Sequence, residues 1–222
     1  MVTSKTKFSL IAVIAIVLGI LIVIPNNTKA ECPTPIDCPW TPFQSGGYRN
    51  IPLSETCTLR YEYCWRLACG YFYDVFIGSL ELIGDCESYK QDIVNNLHIY
   101  LQYCADDVTL NVNPWGAPGI PECCPPSSSP CWSNAFFRQG SYACYSDFYW
   151  NPITQTWITS ACDQENQTQC WNICRYCFYL EYLSNGNTLK KYNKDCQPVQ
   201  WGEPCPATGG PNGDLPCHPV CD

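Results

Sequence analysis

Three closely spaced cysteines, Cys170, Cys174 and Cys177, form the sharpest chemical pattern in this sequence. Together with Cys162 they would supply the four thiolates that a tetrahedral zinc site needs. In an oxidising compartment the same thiols pair as disulfides instead. Cysteine accounts for 19 of the 222 residues, so we predict that these side chains form disulfides and that the protein binds no metal or other cofactor.

The spacing of these three cysteines resembles the cluster-binding motif of the radical S-adenosylmethionine enzymes, in which three thiolates hold an iron–sulfur cluster. The resemblance implies an α/β barrel with the motif near its start. Here the motif lies in the last quarter of the chain among many other cysteines, a setting that favours disulfides.

Side chains suited to acid–base or nucleophilic catalysis are scarce. His98 and His218 are the only histidines, and neither lies beside a nucleophile motif. Two carboxylates held at a fixed separation can hydrolyse glycosides. The candidates for such a pair are Asp106, Asp107, Glu81, Asp85, Asp147 and Glu181, and nothing in the sequence favours two of them. We expect a protein that is not an enzyme and keep a secreted acid-pair glycosidase as an alternative.

Aromatic residues are abundant, with 8 Trp, 15 Tyr and 8 Phe. A hairpin over residues 145–161 with a five-residue loop would place Tyr145, Tyr149 and Trp157 on one face, although a one-residue change in the loop reverses the faces. On a solvent-facing surface these rings would form a platform that stacks on sugars or anchors a protein. A carbohydrate-binding module is therefore an alternative function, and we expect a protein or glycan partner.

Residues 1–30 have the pattern of an export signal. Lys5 and Lys7 precede an apolar run from Phe8 to Ile24, and Thr28-Lys29-Ala30 offers small residues at a cleavage site. Left uncleaved, this segment would be a membrane anchor. Export agrees with the cysteine content, so we predict a secreted, extracellular or cell-envelope protein. The net charge of −8 argues against binding to nucleic acid.

The odd number of cysteines leaves at least one thiol without an intrachain partner. That thiol could join a second copy of the chain in a disulfide-linked homodimer. Cys123 and Cys124 are adjacent in the sequence, and neighbouring Cα atoms are too close for a favourable disulfide. Each of these two is expected to pair elsewhere.

The chain divides into four predicted segments. A proline-rich, extended segment at 31–56, held by Cys32 and Cys38, follows the signal at 1–30. A disulfide-rich β domain spans 57–196 and contains a proline-rich loop at 113–130, and a Pro/Gly/Cys-rich tail covers 197–222. The predicted fold class is α+β, dominated by short antiparallel β-hairpins with one helix.

The one helix is predicted over residues 88–104. Ser88 and Gln91 match a capping box. Apolar side chains recur at helical spacing on one face: Tyr89, Ile93, Leu97, Leu101 and Cys104. Cys86 and Cys104 bracket the helix and are candidates for disulfides that pin both of its ends to the sheet.

Two predicted hairpins and a faint internal repeat suggest which residues lie opposite each other and which cysteines form disulfides. Asn185-Gly186 predicts a two-residue type I′ turn that places Glu181 opposite Lys190 and Tyr179 opposite Tyr192. In the hairpin over 145–161, Cys144 faces Cys162, which suits a cross-strand disulfide. The similar spacing of Cys69 to Cys86 and of Cys177 to Cys196 adds these cysteines to the disulfide candidates. The whole pattern favours a non-enzymatic structural, adhesive or partner-binding role.

Overall fold

The computed structural model describes residues 32–35, 37–123, 132–162, 169–200, 205–209 and 215–221. The predicted export signal at 1–30 lies outside these described residues. Within the described ranges, no helix is both long enough and apolar enough to cross a membrane. Most of the described chain is β-structure.

The strands, in chain order, have the following bounds: β1 Gln44–Pro52, β2 Cys57–Ala68, β3 Phe72–Gly84, β4 Phe136–Tyr142, β5 Cys144–Ser146, β6 Tyr149–Asn151, β7 Thr156–Thr159, β8 Gln169–Tyr182, β9 Thr188–Gln200, β10 Thr208–Gly209 and β11 Leu215–Pro219. Two α-helices, α1 Glu87–Asn95 and α2 Leu97–Asp107, are followed by a π-helical turn, Val108–Val112.

An eight-stranded mixed sheet carries the fold, with the strand order β1-β2-β3-β4-β8-β9. The long strand β3 changes partner along its length: Phe72–Ile77 pair in parallel with β4, and Leu80–Leu82 pair antiparallel with β7 of the β6–β7 hairpin. A second sheet has the order β10-β11-β5. The predicted dominance of short antiparallel hairpins is not confirmed, because four strands of 12 to 14 residues lie in the large sheet, which also contains the parallel pairing of β3 with β4.

Side chains alternate between two faces of the large sheet, as they do in any pleated strand. On the helix face, α2 packs against β3 and β4. The buried core includes Leu59, Val75, Ile77, Leu80, Leu82, Ile93, Leu97, Leu101 and Val108. The opposite surface, called here the outer face, carries Arg66, Asp74 and Arg138 and contacts the N-terminal residues Asp37 to Phe43.

The predicted helix is confirmed in its position and buried face, but it is broken into two helices. Ile93, Leu97, Leu101 and Cys104 are all buried. Asn96 separates α1 from α2, and its side-chain amide donates to the Asp92 carbonyl oxygen at 3.0 Å. The predicted Ser88 cap is wrong, because Cys86 holds the N-cap position and makes no side-chain capping bond.

Eight disulfides link the described residues, and three of them attach the tail to the body: Cys144–Cys205, Cys162–Cys217 and Cys170–Cys221. The other five are Cys32–Cys64, Cys38–Cys69, Cys57–Cys86, Cys123–Cys177 and Cys174–Cys196. All four cysteines of the alternative zinc set are therefore bonded to other cysteines. Cys123 pairs away from its neighbour, as predicted.

Two of the predicted roles for cysteines are wrong. Cys144 and Cys162 do face each other, with the Cys162 amide donating to the Cys144 carbonyl oxygen at 3.1 Å, but each forms its disulfide with the tail. Cys104 is free and buried, so it does not pin the end of the helix. Cys86 does pin the start of α1, through its bond to Cys57 of β2. Cys69, Cys177 and Cys196 are bonded, with partners that the faint repeat did not predict.

The β8–β9 hairpin forms where predicted, with a register that differs by one residue. Glu181 lies opposite Leu189 rather than Lys190, and Tyr179 lies opposite Lys191 rather than Tyr192. Gly186 has a positive φ but Asn185 does not. A type I′ turn needs positive φ at both positions, so the chain forms a longer loop that shifts the pairing.

The hairpin over 145–161 also forms, and its register changes by one residue along its length. The predicted pairing holds at Tyr145 and Ala161, but Tyr149, not Phe148, lies opposite Ile158. The loop beyond the Asn151–Thr156 pair therefore has four residues, and the extra residue on the first strand lies between Tyr145 and Tyr149. Such a shift sends the following side chains to the opposite face.

Candidate functional site

The predicted aromatic platform does not form, because its three rings do not share an exposed surface. Tyr145 has no exposed area, and its hydroxyl donates to the carbonyl oxygens of Ile77 and Gly78 at 3.0 and 2.8 Å. Trp157 is half-buried, with the Lys90 ammonium 3.4 Å from the centre of its ring. The change of register between Tyr145 and Tyr149 separates the rings, because Trp157 lies opposite Trp150 rather than opposite Tyr149.

A buried ion network occupies the outer face of the sheet. Asp74, which has no exposed area, accepts from Arg66 Nε at 2.7 Å and from Arg138 Nε at 2.6 Å. Both arginines also donate to the carboxylate of Asp37 at 2.6 Å. Two cations and two anions thus balance each other, which buried charges require. The hydrogen bond from Arg138 holds the pKa of Asp37 below its usual value.

The same region contains the only cluster of possible metal ligands among the described residues, formed by Asp37, Cys38 and Cys69. The two sulfur atoms are bonded to each other, and the carboxylate is already bound by Arg66 and Arg138. Thiolate is the form of cysteine that binds metals. The cluster therefore acts as a disulfide and an ion pair rather than as a ligand set.

Arg138 connects the ion network to an aromatic surface. Its guanidinium carbon lies 4.5 Å from the centre of the Phe72 ring, within the range of a cation–π contact. Beyond Phe72 the outer face opens into a groove of about 470 Å³, called here the aromatic groove. Its lining residues are Tyr71, Phe72, Phe136, Ile173, Arg175, Asp195 and Gln197.

Strand pairing explains how residues distant in sequence meet in the aromatic groove. Phe72 of β3 lies opposite Phe136 of β4, and Arg175 of β8 lies opposite Asp195 of β9. Two residues further along these strands, Ile173 lies opposite Gln197. Since residues two apart on a strand share a face, the aromatic half on β3 and β4 adjoins the polar half on β8 and β9.

Two aromatic rings of the aromatic groove are exposed, and a third lies between them. Tyr71 is 58% exposed and Phe136 is 40% exposed, while Phe72 is half-buried between them. The Tyr71 and Phe72 ring centres are 4.4 Å apart, and those of Phe72 and Phe136 are 6.5 Å apart. On the polar side, Arg175 Nη2 donates to Asp195 Oδ2 at 3.3 Å. Exposed apolar clusters with polar neighbours commonly mark binding sites.

A larger cleft of about 770 Å³ lies on the helix face, where Asp106 and Asp107 end α2. Asp106 accepts from Tyr176 at 2.7 Å and from Lys194 at 2.8 Å. Asp107 accepts from Arg49 Nε at 2.6 Å and from the Tyr61 hydroxyl at 2.5 Å. This cleft is called the edge cleft, because it lies between the two edge strands β1 and β9.

Both carboxylates of the edge cleft are engaged by side chains of the surrounding strands. Burial acts to raise the pKa of Asp107, but hydrogen bonds from Arg49, Tyr61 and Asn111 together lower it further than burial raises it. Burial, with the nearby Asp106, raises the pKa of Tyr176 well above its usual value. Each carboxylate is therefore bound to a cation and a phenol, an arrangement that stabilises the fold.

The other predicted acid-pair candidates lie apart from this cleft. Glu81 accepts from Arg60 Nε at 2.6 Å and from Thr156. Asp147 contacts His218 Nε2 at 2.6 Å, and Glu181 contacts Lys191 at 2.6 Å. Asp85 precedes α1, where its backbone amide donates to Thr56. Among the described residues that line the edge cleft, none of these four acids is present.

Neither a protein-family model, nor a curated protein, nor a solved structure matches this chain. A function must therefore be inferred from the two clefts and from the cross-linked sheet. The aromatic groove was missed by sequence reasoning, because its residues come from β3, β4, β8 and β9. The one local signal was the pair of adjacent aromatics at Tyr71-Phe72 and again at Phe136-Phe137.

Proposed function

We propose that this chain is an exported, non-enzymatic binding protein that holds its ligand in the aromatic groove. The main support for this proposal is that Tyr71 and Phe136 are exposed in a groove that is also lined by Arg175 and Asp195. Large rings at the surface supply contact area with few rotatable bonds, so binding orders little that was free before.

Rigidity of the surrounding sheet supports this role. Cys174–Cys196 joins β8 to β9 between the pairs Arg175–Asp195 and Ile173–Gln197. Cys38–Cys69 joins the N-terminal segment to the end of β2, close to Tyr71. A site held rigid before binding loses less entropy on binding, which raises affinity. The density of disulfides also fits an oxidising, extracellular environment.

Cosedimentation tests the proposed function directly. The oxidised protein would be mixed with the cell-envelope and extracellular material of its source, and the bound fraction measured after centrifugation. We expect the wild type to sediment with this material and the Tyr71→Ala/Phe136→Ala variant to stay in solution. The matched control is Tyr103→Ala/Tyr182→Ala, which removes two exposed rings from other surfaces.

Equal sedimentation of wild type and groove variant would place binding elsewhere and contradict the proposal. The thermal transition and near-UV circular dichroism of each variant establish that the sheet is intact. Treating the material first with protease, or first with periodate, reports whether the bound partner is protein or carbohydrate.

A further inference from the structure

We infer that the ligand of the aromatic groove is a single chain of a neutral carbohydrate. This inference rests on the proposed function and adds the chemical class of the ligand. A sugar ring has an apolar face of C–H groups and a rim of hydroxyls, so its site needs aromatic rings and planar hydrogen-bonding groups side by side.

The aromatic half of the groove meets the first of these needs. Tyr71, Phe72 and Phe136 line it, and the two outer rings are exposed. Arg138 stacks at 4.5 Å on the Phe72 ring and is itself fixed by Asp74 and Asp37. This contact packs Arg138 against the Phe72 ring and makes Arg138 a positioning residue for the groove.

The tilt of the rings selects the shape of the ligand. The Tyr71 and Phe72 planes are inclined by 50°, and the Phe72 and Phe136 planes by 69°. Rings at these angles share no common plane, so a flat, crystalline polysaccharide surface would contact one ring at a time. A single oligosaccharide chain can turn successive C–H faces toward inclined rings.

The polar half meets the second need. Arg175 offers several N–H donors, Asp195 offers acceptors, and Gln197 offers both. Arg175 and Asp195 share one hydrogen bond at 3.3 Å and keep 37% and 43% of their side chains exposed. Most of their hydrogen-bonding capacity therefore remains available to vicinal hydroxyl groups.

Charge selects a neutral sugar over an acidic one. Arg175 is balanced by Asp195, and the adjoining network balances Arg66 and Arg138 with Asp37 and Asp74. The chain as a whole carries −8. A neutral groove in an acidic protein gives a uronate or sulfated glycan no net attraction.

The test is a glycan array of soluble neutral and anionic oligosaccharides, followed by calorimetry on the oxidised full-length protein. We expect binding to neutral oligosaccharides, with affinity reduced about tenfold or more in Phe136→Ala, as for an aromatic ring that the ligand covers on binding. The Tyr103→Ala control should bind within about twofold of the wild type. Arg138→Lys should weaken binding while Gln197→Ala alters the preference among neutral sugars.

Several results would overturn the inference while leaving the proposed function standing. Cosedimentation that depends on the groove and is abolished by protease but not by periodate would identify a protein ligand. A preference for anionic glycans, or for insoluble crystalline polysaccharide over soluble chains, would contradict the neutral single chain. Sugar binding that survives Phe136→Ala, while cosedimentation is lost in the Tyr71→Ala/Phe136→Ala variant, would place the sugar site outside the groove. Absence of any groove-dependent binding would overturn both.

Discussion

Asp106 and Asp107 are neighbours in the sequence, yet they bind opposite edges of the same sheet. Asp107 accepts from Arg49 on β1 at 2.6 Å, and Asp106 accepts from Lys194 on β9 at 2.8 Å. These strands end the order β1-β2-β3-β4-β8-β9. The C-terminal end of α2 thus joins two edge strands that do not pair with each other among the described residues.

Substituting Asp107 with asparagine should lower the free energy of unfolding by about 1–3 kcal/mol, because Arg49 and Tyr61 would lose a charged acceptor. Urea unfolding of the oxidised protein measures this change. The control is Glu87→Gln, which removes an exposed i,i+3 ion pair with Lys90 and should cost about 0.5 kcal/mol or less. Equal effects of the two substitutions would contradict a structural role for Asp107.

The contribution of Asp107 should depend on pH in a defined direction. Its pKa is lowered in the folded protein despite burial, because hydrogen bonds from three side chains favour the ionised form. Its stabilising effect is therefore present above the unfolded pKa of about 3.9 and is lost as the pH falls through the folded value. The stability difference between wild type and Asp107→Asn should shrink toward zero between about pH 4 and pH 2. A difference that stays constant over this range would contradict the assignment.

Glu62 should show the opposite dependence. Burial raises its pKa, Glu81 adds to the rise, and hydrogen bonds from Ser79 and Tyr48 offset part of it. Among the described residues its buried Oε1 has no hydrogen-bond partner. The stability that this group contributes is full below the unfolded pKa of about 4.3 and is lost as the pH rises through the folded value.

The substitution Glu62→Gln should therefore gain stability relative to wild type as the pH rises from about 4 to 7. Chemical denaturation at several pH values in this range measures the difference. Glu55→Gln, at an exposed position in the turn before β2, is the matched control and should show no such trend. A stability difference between Glu62→Gln and wild type that does not change with pH would contradict this prediction.

The Cys104 thiol should be unreactive in the native protein. It has no exposed area, and burial together with Asp107 and Asp106 raises its pKa well above the usual value. Native protein treated with a thiol reagent at pH 8 should leave Cys104 unmodified, whereas unfolding in denaturant should expose it to complete labelling. Peptide mass spectrometry identifies the modified residue. Rapid native labelling, or a reducible dimer linked through Cys104, would show that the helix opens.

Local patterns predicted individual elements well, because local physics fixes them. The buried face at Ile93, Leu97 and Leu101 followed from helical spacing, and Asn185-Gly186 located the β8–β9 hairpin. The predicted register of this hairpin was wrong by one residue. A type I′ turn needs a positive φ at both of its central positions, and only Gly186 has one. The φ angle of Asn185 thus determines which side chains of β8 lie opposite which side chains of β9.

Long-range features escaped prediction for a different reason. The partners of Cys144, Cys162 and Cys170 lie 61, 55 and 51 residues away, and spacing alone does not determine connectivity. The aromatic groove depends on the parallel pairing of Phe72 with Phe136, which a long crossover connection makes possible. No local motif encodes which distant strand lies beside β3.

The three disulfides of the tail keep it attached to the body after a single cut in the chain. Cys205, Cys217 and Cys221 each bond to a different point of the body, at Cys144, Cys162 and Cys170. A protease that cuts once between residues 197 and 204 would nick the chain without releasing the fragment beyond the cut. On a gel, that fragment separates only after reduction. Release of the tail therefore requires the reduction of all three disulfides in addition to the cleavage of a peptide bond.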